Sequence, residues 1–103
     1  MATNEQEQSI QIELTEDTAQ GIYSNLAIIA HSSSEFVLDF VRVMPGLPKA
    51  KVKSRIILTP EHAKRLLMAL NENIVKYERL FGKISLPANQ QIPITPFGKP
   101  GEA

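Results

Sequence analysis

KAKVKSRIILTPEHAKRLLMALNENIVKYERLFG, residues 49–82, decides the fold of this chain. Its first ten residues place Val52, Ser54, Ile56 and Leu58 on one side and Lys49, Lys51, Lys53, Arg55 and Ile57 on the other, the period of two of a β-strand. At Thr59 the period changes. Thr59, Pro60 and Glu61 supply a capping hydroxyl, a proline suited to the first helical position and an acid at the positive end of the helix dipole. From there Ala63, Leu66, Leu67, Leu70, Ile74, Tyr77 and Phe81 fall on a single apolar stripe of helical period. Gly82 then offers the left-handed stop. The reading is a strand that runs into one long helix. Glu61 with Arg65, and Glu72 with Lys76, add i,i+4 pairs worth about 0.3 kcal/mol each.

Working towards the N-terminus, PGLP (residues 45–48) breaks the pattern and makes a connection. Residues 22–31 (IYSNLAIIAH) and 35–44 (EFVLDFVRVM) are rich in β-branched and aromatic residues, with three serines between them, which predicts a hairpin. A loop of residues 32–34 pairs His31 with Glu35, Ile28 with Leu38 and Leu26 with Phe40. That register gathers Leu26, Ile28, Ala30, Phe36, Leu38 and Phe40 on a clean apolar face. The opposite face is mixed and carries Asn25, Ile29, Val37, Asp39, Val41 and Val43. Residues 9–14 (SIQIEL) alternate as a fourth strand, and residues 15–21 read as a turn or one helical turn, capped by Thr15 and ended by Gly21.

The sequence therefore predicts an α+β domain, a four-stranded antiparallel sheet followed by one long C-terminal helix (ββββα), over residues 9–84. Residues 1–8 read as a disordered arm. Residues 85–103, with Pro87, Pro93, Pro96 and Pro100, read as an extended tail. One helix covers one sheet face. On the other, Ile29, Val37, Val41 and Val43 would stay wet, forgoing about 1.5–3 kcal/mol each, so the expectation is a homodimer closed through the mixed face, the helix or both.

Charge is distributed unevenly. The first 41 residues hold seven Asp and Glu and no Lys or Arg; the remaining 62 hold all 11 basic residues and four acidic ones. A net charge of zero thus hides an acidic half and a basic half, which suits charge matching within or between subunits. No cysteine is present, which excludes disulfides and thiolate metal sites. The N-terminus lacks the basic-then-apolar pattern of a secretory leader, and no apolar run reaches membrane-spanning length. A cytoplasmic protein is expected.

The residues give little to catalysis. There is no HExxH, P-loop or GxGxxG spacing. His31, the serines at 32–34 and Asp39 are the residue types of a hydrolase triad, but a serine run at a hairpin tip is ordinary turn chemistry. No catalytic residue, cofactor or metal is expected. Asp39, set between Val37 and Val41, needs a partner if buried, and Arg55 on a neighbouring strand or another subunit is a candidate. Lys49, Lys51, Lys53, Arg55 and Arg42, with Tyr23 as a stacking platform, are candidate contacts to a single-stranded nucleic acid. The bland alternatives are lysines that guard an edge strand and a solvated face that complements the acidic half.

YSNLAIIAHSSSEFVLDFVRVMPG and the 49–82 stretch resemble a family of prokaryotic proteins of about a hundred residues, domain of unknown function 3467. The resemblance covers residues 23–82. It implies that Asn25, Ser32, Glu35, Phe36, Asp39 and Phe40 belong to the family signature and brings no activity with it. A weaker likeness, carried by SRIILTPEHAKRLLMAL, is to the four-strands-then-helix repeat of purine-rich-element-binding and whirly proteins. That likeness implies intertwined repeats and single-strand binding, although the hairpin here carries Glu35 and Asp39 instead of lysines. The expected function is a non-catalytic, homodimeric binding or assembly module whose best candidate ligand is single-stranded nucleic acid. The alternative is a protein–protein adaptor that binds no nucleic acid.

Overall fold

A computed structural model describes residues 9–87. The order is a short helix α1 (Glu16–Ala19), strands β1 (Leu26–His31), β2 (Phe36–Arg42) and β3 (Lys51–Leu58), and a long helix α2 (Pro60–Phe81). The three strands form one antiparallel sheet in the order β1-β2-β3. The chain is thus α+β with a C-terminal helix, as the patterning predicts, but residues 9–14 form no strand of this sheet. The expected disordered arm at 1–8, and the expected tail beyond residue 87, lie outside the described residues.

The punctuation residues act as their chemistry dictates. Thr59 caps α2 by accepting a hydrogen bond from the His62 N–H at 3.1 Å, with Pro60 at the first position. Gly82, at φ 96°, ends the helix. Thr15 caps α1 in the same way, accepting from the Thr18 N–H at 3.3 Å, and Gly21 follows at φ 78°. Met44 to Leu47 is a turn with Pro45 and Gly46 at its centre and the Leu47 N–H donated to the Met44 carbonyl. Gly46 at φ 85° meets the positive φ that such a turn requires after proline. Of the two expected charge pairs on α2, Glu61 and Arg65 meet at 2.7 Å.

The hairpin register is one residue away from the expected one. His31 pairs with Phe36, Ile29 with Leu38, Ile28 with Asp39 and Leu26 with Val41. The cause lies in the serine loop. Ser32 Oγ accepts from the N–H groups of Ser34 and Glu35, and the Ser32 N–H donates to the Glu35 carbonyl, so Glu35 belongs to the turn. A slip of one residue exchanges the faces of a whole strand. One face now carries Ile29, His31, Phe36, Leu38, Phe40, Ser54, Ile56 and Leu58 (the Phe40 face). The other carries Leu26, Ile28, Val37, Asp39, Val41, Arg55 and Ile57 (the Asp39 face). The expected clean face and mixed face are therefore both corrected: Ile29 lies opposite in orientation to Val37, Asp39 and Val41. Leu38, Val41 and Leu58 are the buried apolar side chains among the described residues.

The helix also departs from expectation, since it does not cover the sheet. Thr59 alone separates β3 from α2, leaving no turn in which the chain could fold the helix back across the strands. No residue of α2 is buried, and only Ala63 and Glu78 are half-buried.

Asn25 closes the open end of the hairpin. Its side-chain oxygen accepts from the Val43 N–H at 2.8 Å, and its amide nitrogen donates to the Val43 carbonyl at 3.0 Å, so one side chain continues the ladder. Replacing Asn25 with Ala removes both bonds. Chemical denaturation should show a loss of about 1–2 kcal/mol; a loss near zero would mean that the ladder end is frayed.

Candidate functional site

Three regions of the folded part carry chemistry or unsatisfied surface. The first is the ion pair between Asp39 and Arg55, which stand opposite each other on β2 and β3. Arg55 Nε and one terminal nitrogen donate to the two carboxylate oxygens at 2.7 and 2.8 Å, a bidentate fork. Asp39 is 2 % exposed, whereas Arg55 keeps 53 % of its side chain in contact with solvent. The central strand supplies the burial: Val37 and Val41 flank Asp39 along β2 and Ile28 is its β1 partner. The hydrogen bonds from Arg55 hold the Asp39 carboxyl below the ordinary carboxylate range, overcoming the upward push of burial, and the guanidinium charge acts in the same direction. The partner foreseen for Asp39 is the one it has, within the same chain.

This arrangement takes Asp39 away from any catalytic use with the hairpin tip. Asp39 and His31 lie on opposite faces, and the ring of His31 stacks on Phe36 at 5.3 Å. Among the described residues, no three His, Cys, Asp or Glu converge as a metal site.

The second region is basic. The expected single row of Lys49, Lys51, Lys53 and Arg55 is divided by a bulge. Phe40 pairs with Ser54 but Val41 pairs with Val52, so Lys53 is the additional residue. Arg55 consequently points to the Asp39 face, while Lys51 pairs with Arg42 on the other. Arg55 is committed to Asp39. What remains is a basic corner of Arg42, Lys49, Lys51 and Lys53, all exposed. Tyr23 is exposed as well, preceding β1. Arg42 and Lys51 face one another as like charges, which is unfavourable in a cross-strand pair.

The third region is apolar and has two parts. A cleft of about 570 Å³ lies between α1 and the Phe40 face, lined by Asp17, Thr18, Gly21, Ile22, Ser24, Phe40, Ser54 and Ile56. The sequence signal for it was the Thr15 cap, but pattern alone does not place a four-residue helix over a sheet. Beyond the sheet, the stripe of α2 stays in solvent: Leu66, Leu67, Leu70, Ile74, Tyr77 and Phe81 are all exposed, Phe81 by 71 %. Tyr77 and Phe81 pack on each other at 4.9 Å. Of the side chains expected on the mixed face, Asn25 serves the hairpin end, Val43 is half-buried beside it, and Ile29 is exposed on the Phe40 face.

The Asp39 pair yields a pH prediction. Its folded pKa is lowered from an unfolded value of about 3.9, so its stabilisation is complete above that value and is lost as pH falls through the folded pKa. Arg55→Met leaves a buried carboxylate without its fork. It should lower stability at neutral pH, by an amount that solvent screening of the half-exposed guanidinium moderates. Carboxyl titration by NMR should show the Asp39 pKa rising in the variant; an unchanged pKa would contradict the assigned cause.

No helix among the described residues is long and apolar enough to cross a membrane. No curated protein and no solved structure matches the chain. The model of a family described as protein of unknown function (DUF3467) matches residues 1–86, and the chain belongs to that family.

Proposed function

We propose that this chain is a non-catalytic assembly module that works as a homodimer, with α2 as its principal contact. The observation that carries the reading is the apolar stripe of a 22-residue helix left in solvent by its own sheet. Burying an apolar side chain of this size is worth about 1.5–3 kcal/mol. Six of them represent of order 10 kcal/mol, as much as the whole stability of a small domain. A stripe of that extent marks a surface made to be covered. A second copy offers both a matching stripe and an open sheet face. The acidic first half and basic second half favour the same arrangement, since the acidic half of each copy can meet the basic half of the other.

The ligand best suited to the basic corner is single-stranded nucleic acid. Arg42 and Lys51 stand opposite each other with no carboxylate in ion-pair range among the described residues, an arrangement that an anion would relieve. Lys49 and Lys53 flank them, and Tyr23 provides an aromatic face for stacking. The competing reading is an adaptor that recognises another protein and leaves oligonucleotides alone.

Sedimentation tests the dimer. Wild type should run as a dimer at micromolar concentration, and Leu70→Glu with Ile74→Glu should run as a folded monomer; a monomeric wild type with a normal melting transition would overturn the reading. Oligonucleotide titration tests the ligand. Four phosphate contacts per chain, about eight per dimer, predict that log affinity falls with log salt at a slope near −6. Lys49→Ala, Lys51→Ala and Lys53→Ala combined should flatten that slope. Absence of binding at low salt would leave the adaptor.

A further inference from the structure

Residues 9–14 have the pattern of a strand and no place in the sheet of their own chain. Ile10, Ile12 and Leu14 alternate with Gln11 and Glu13, yet they are 84, 93 and 69 % exposed. Three apolar side chains in phase on one side of a strand-like segment are a half-buried strand in search of a sheet. Among the described residues the sheet is open at both edges, because β1 and β3 are each flanked by β2 alone.

Charge decides between the edges. β1 (LAIIAH) carries no Lys, Arg, Asp or Glu, whereas β3 carries Lys51, Lys53 and Arg55. A basic edge repels a second copy of itself and accepts an acidic strand. Glu13 lies within the segment, Glu16 and Asp17 follow it, and no Lys or Arg occurs anywhere before Arg42. The α1 residues Asp17 and Thr18 line one cleft with Phe40, Ser54 and Ile56, so the segment leaves α1 near the Phe40 face.

We infer that residues 9–14 of one protomer add as a strand to the β3 edge of the partner protomer, giving each sheet its fourth strand from the other chain. The apolar side of the added strand continues the Phe40 face beside Ile56 and Leu58, and Glu13 falls on the face that carries Arg55 and Ile57. Backbone hydrogen bonds give the contact strength, and the alternate side chains set its register. The inference rests on the homodimer reading, and it adds the second contact that would lock the two copies together. It also assigns a use to the acidic half of the chain.

The absence of native cysteine makes disulfide mapping clean. One tagged chain carries Glu13→Cys, and the other carries Lys53→Cys, Ile57→Cys or, as the β1 control on the same face, Ala30→Cys. After mixing and oxidation, a covalent heterodimer with position 53 or 57 and none with position 30 is expected. In parallel, Glu13→Lys or Lys53→Glu alone should weaken association by roughly threefold to tenfold, and the two changes together should restore it. Ile12→Pro removes a ladder donor from a segment that lies outside the intrachain sheet, so it should lower dimer affinity about tenfold or more without changing the monomer's circular dichroism. Crosslinking to position 30, or no crosslink in a sample that sediments as a dimer, would overturn the strand exchange and leave the helix-mediated dimer standing. A wild type that sediments as a monomer would remove both.

Discussion

A three-stranded sheet cannot cover a 22-residue helix that leaves it through a single residue, and that constraint governs the rest of this molecule. At 1.5 Å per residue the helix reaches about 33 Å, while Thr59 alone joins it to β3. The strand end therefore launches the helix outward. The buried apolar core of the described residues shrinks to Leu38, Val41 and Leu58, a small core for a chain of this length. What the chain lacks in internal core it displays as surface, on α2, on the Phe40 face and on residues 9–14. These surfaces differ in kind: an apolar helix stripe, a sheet face, and a segment that holds Glu13 but no Lys or Arg, in a chain whose β3 carries Lys51, Lys53 and Arg55.

The Asp39 pair belongs to this economy of core. In a sheet with few buried side chains, a carboxylate in the middle of the central strand would be costly if it stood alone. Arg55 makes it a cross-strand brace instead, tying β2 to β3 by two short bonds. Ser24, Asn25 and Ser32 do the corresponding work between β1 and β2. Ser24 Oγ lies 3.0 Å from both the Leu26 and the Val41 carbonyl oxygens at one end of the hairpin and shares its one proton between them, and Ser32 orders the other end. Polar side chains thus fix the register of a sheet that has little apolar packing to fix it. Three of the six residues that the family resemblance singles out have such a role: Asn25, Ser32 and Asp39.

Legibility in the sequence followed the locality of each signal. The long helix was readable to the residue, because Thr59, Pro60 and Gly82 act through bonds within a turn of themselves. The Thr15 cap and the proline–glycine turn were readable for the same reason. The hairpin was readable as a hairpin but not in register, since the choice between a loop of three and a loop of four rested on how the Ser32 hydroxyl engages its neighbours. Once Glu35 joined the turn, every facing relation changed, and the mixed face dissolved with it. The basic row failed at the bulge, where Lys53 interrupts an alternation that looks regular on the page. The fourth strand is the most instructive case. Its alternation of Ile10, Ile12 and Leu14 is plain in the sequence, yet residues 9–14 form no strand of this sheet, because period alone does not say which edge, if any, a segment pairs with.

The central claim is that covering α2 requires a second copy, and thermal unfolding across a wide range of protein concentration tests it most directly. If dimer formation supplies the missing core, the melting temperature rises steadily with concentration, because mass action links association to folding. A melting temperature that stays constant from the lowest to the highest concentration, with a single cooperative transition, would show that one chain is sufficient and would contradict the account.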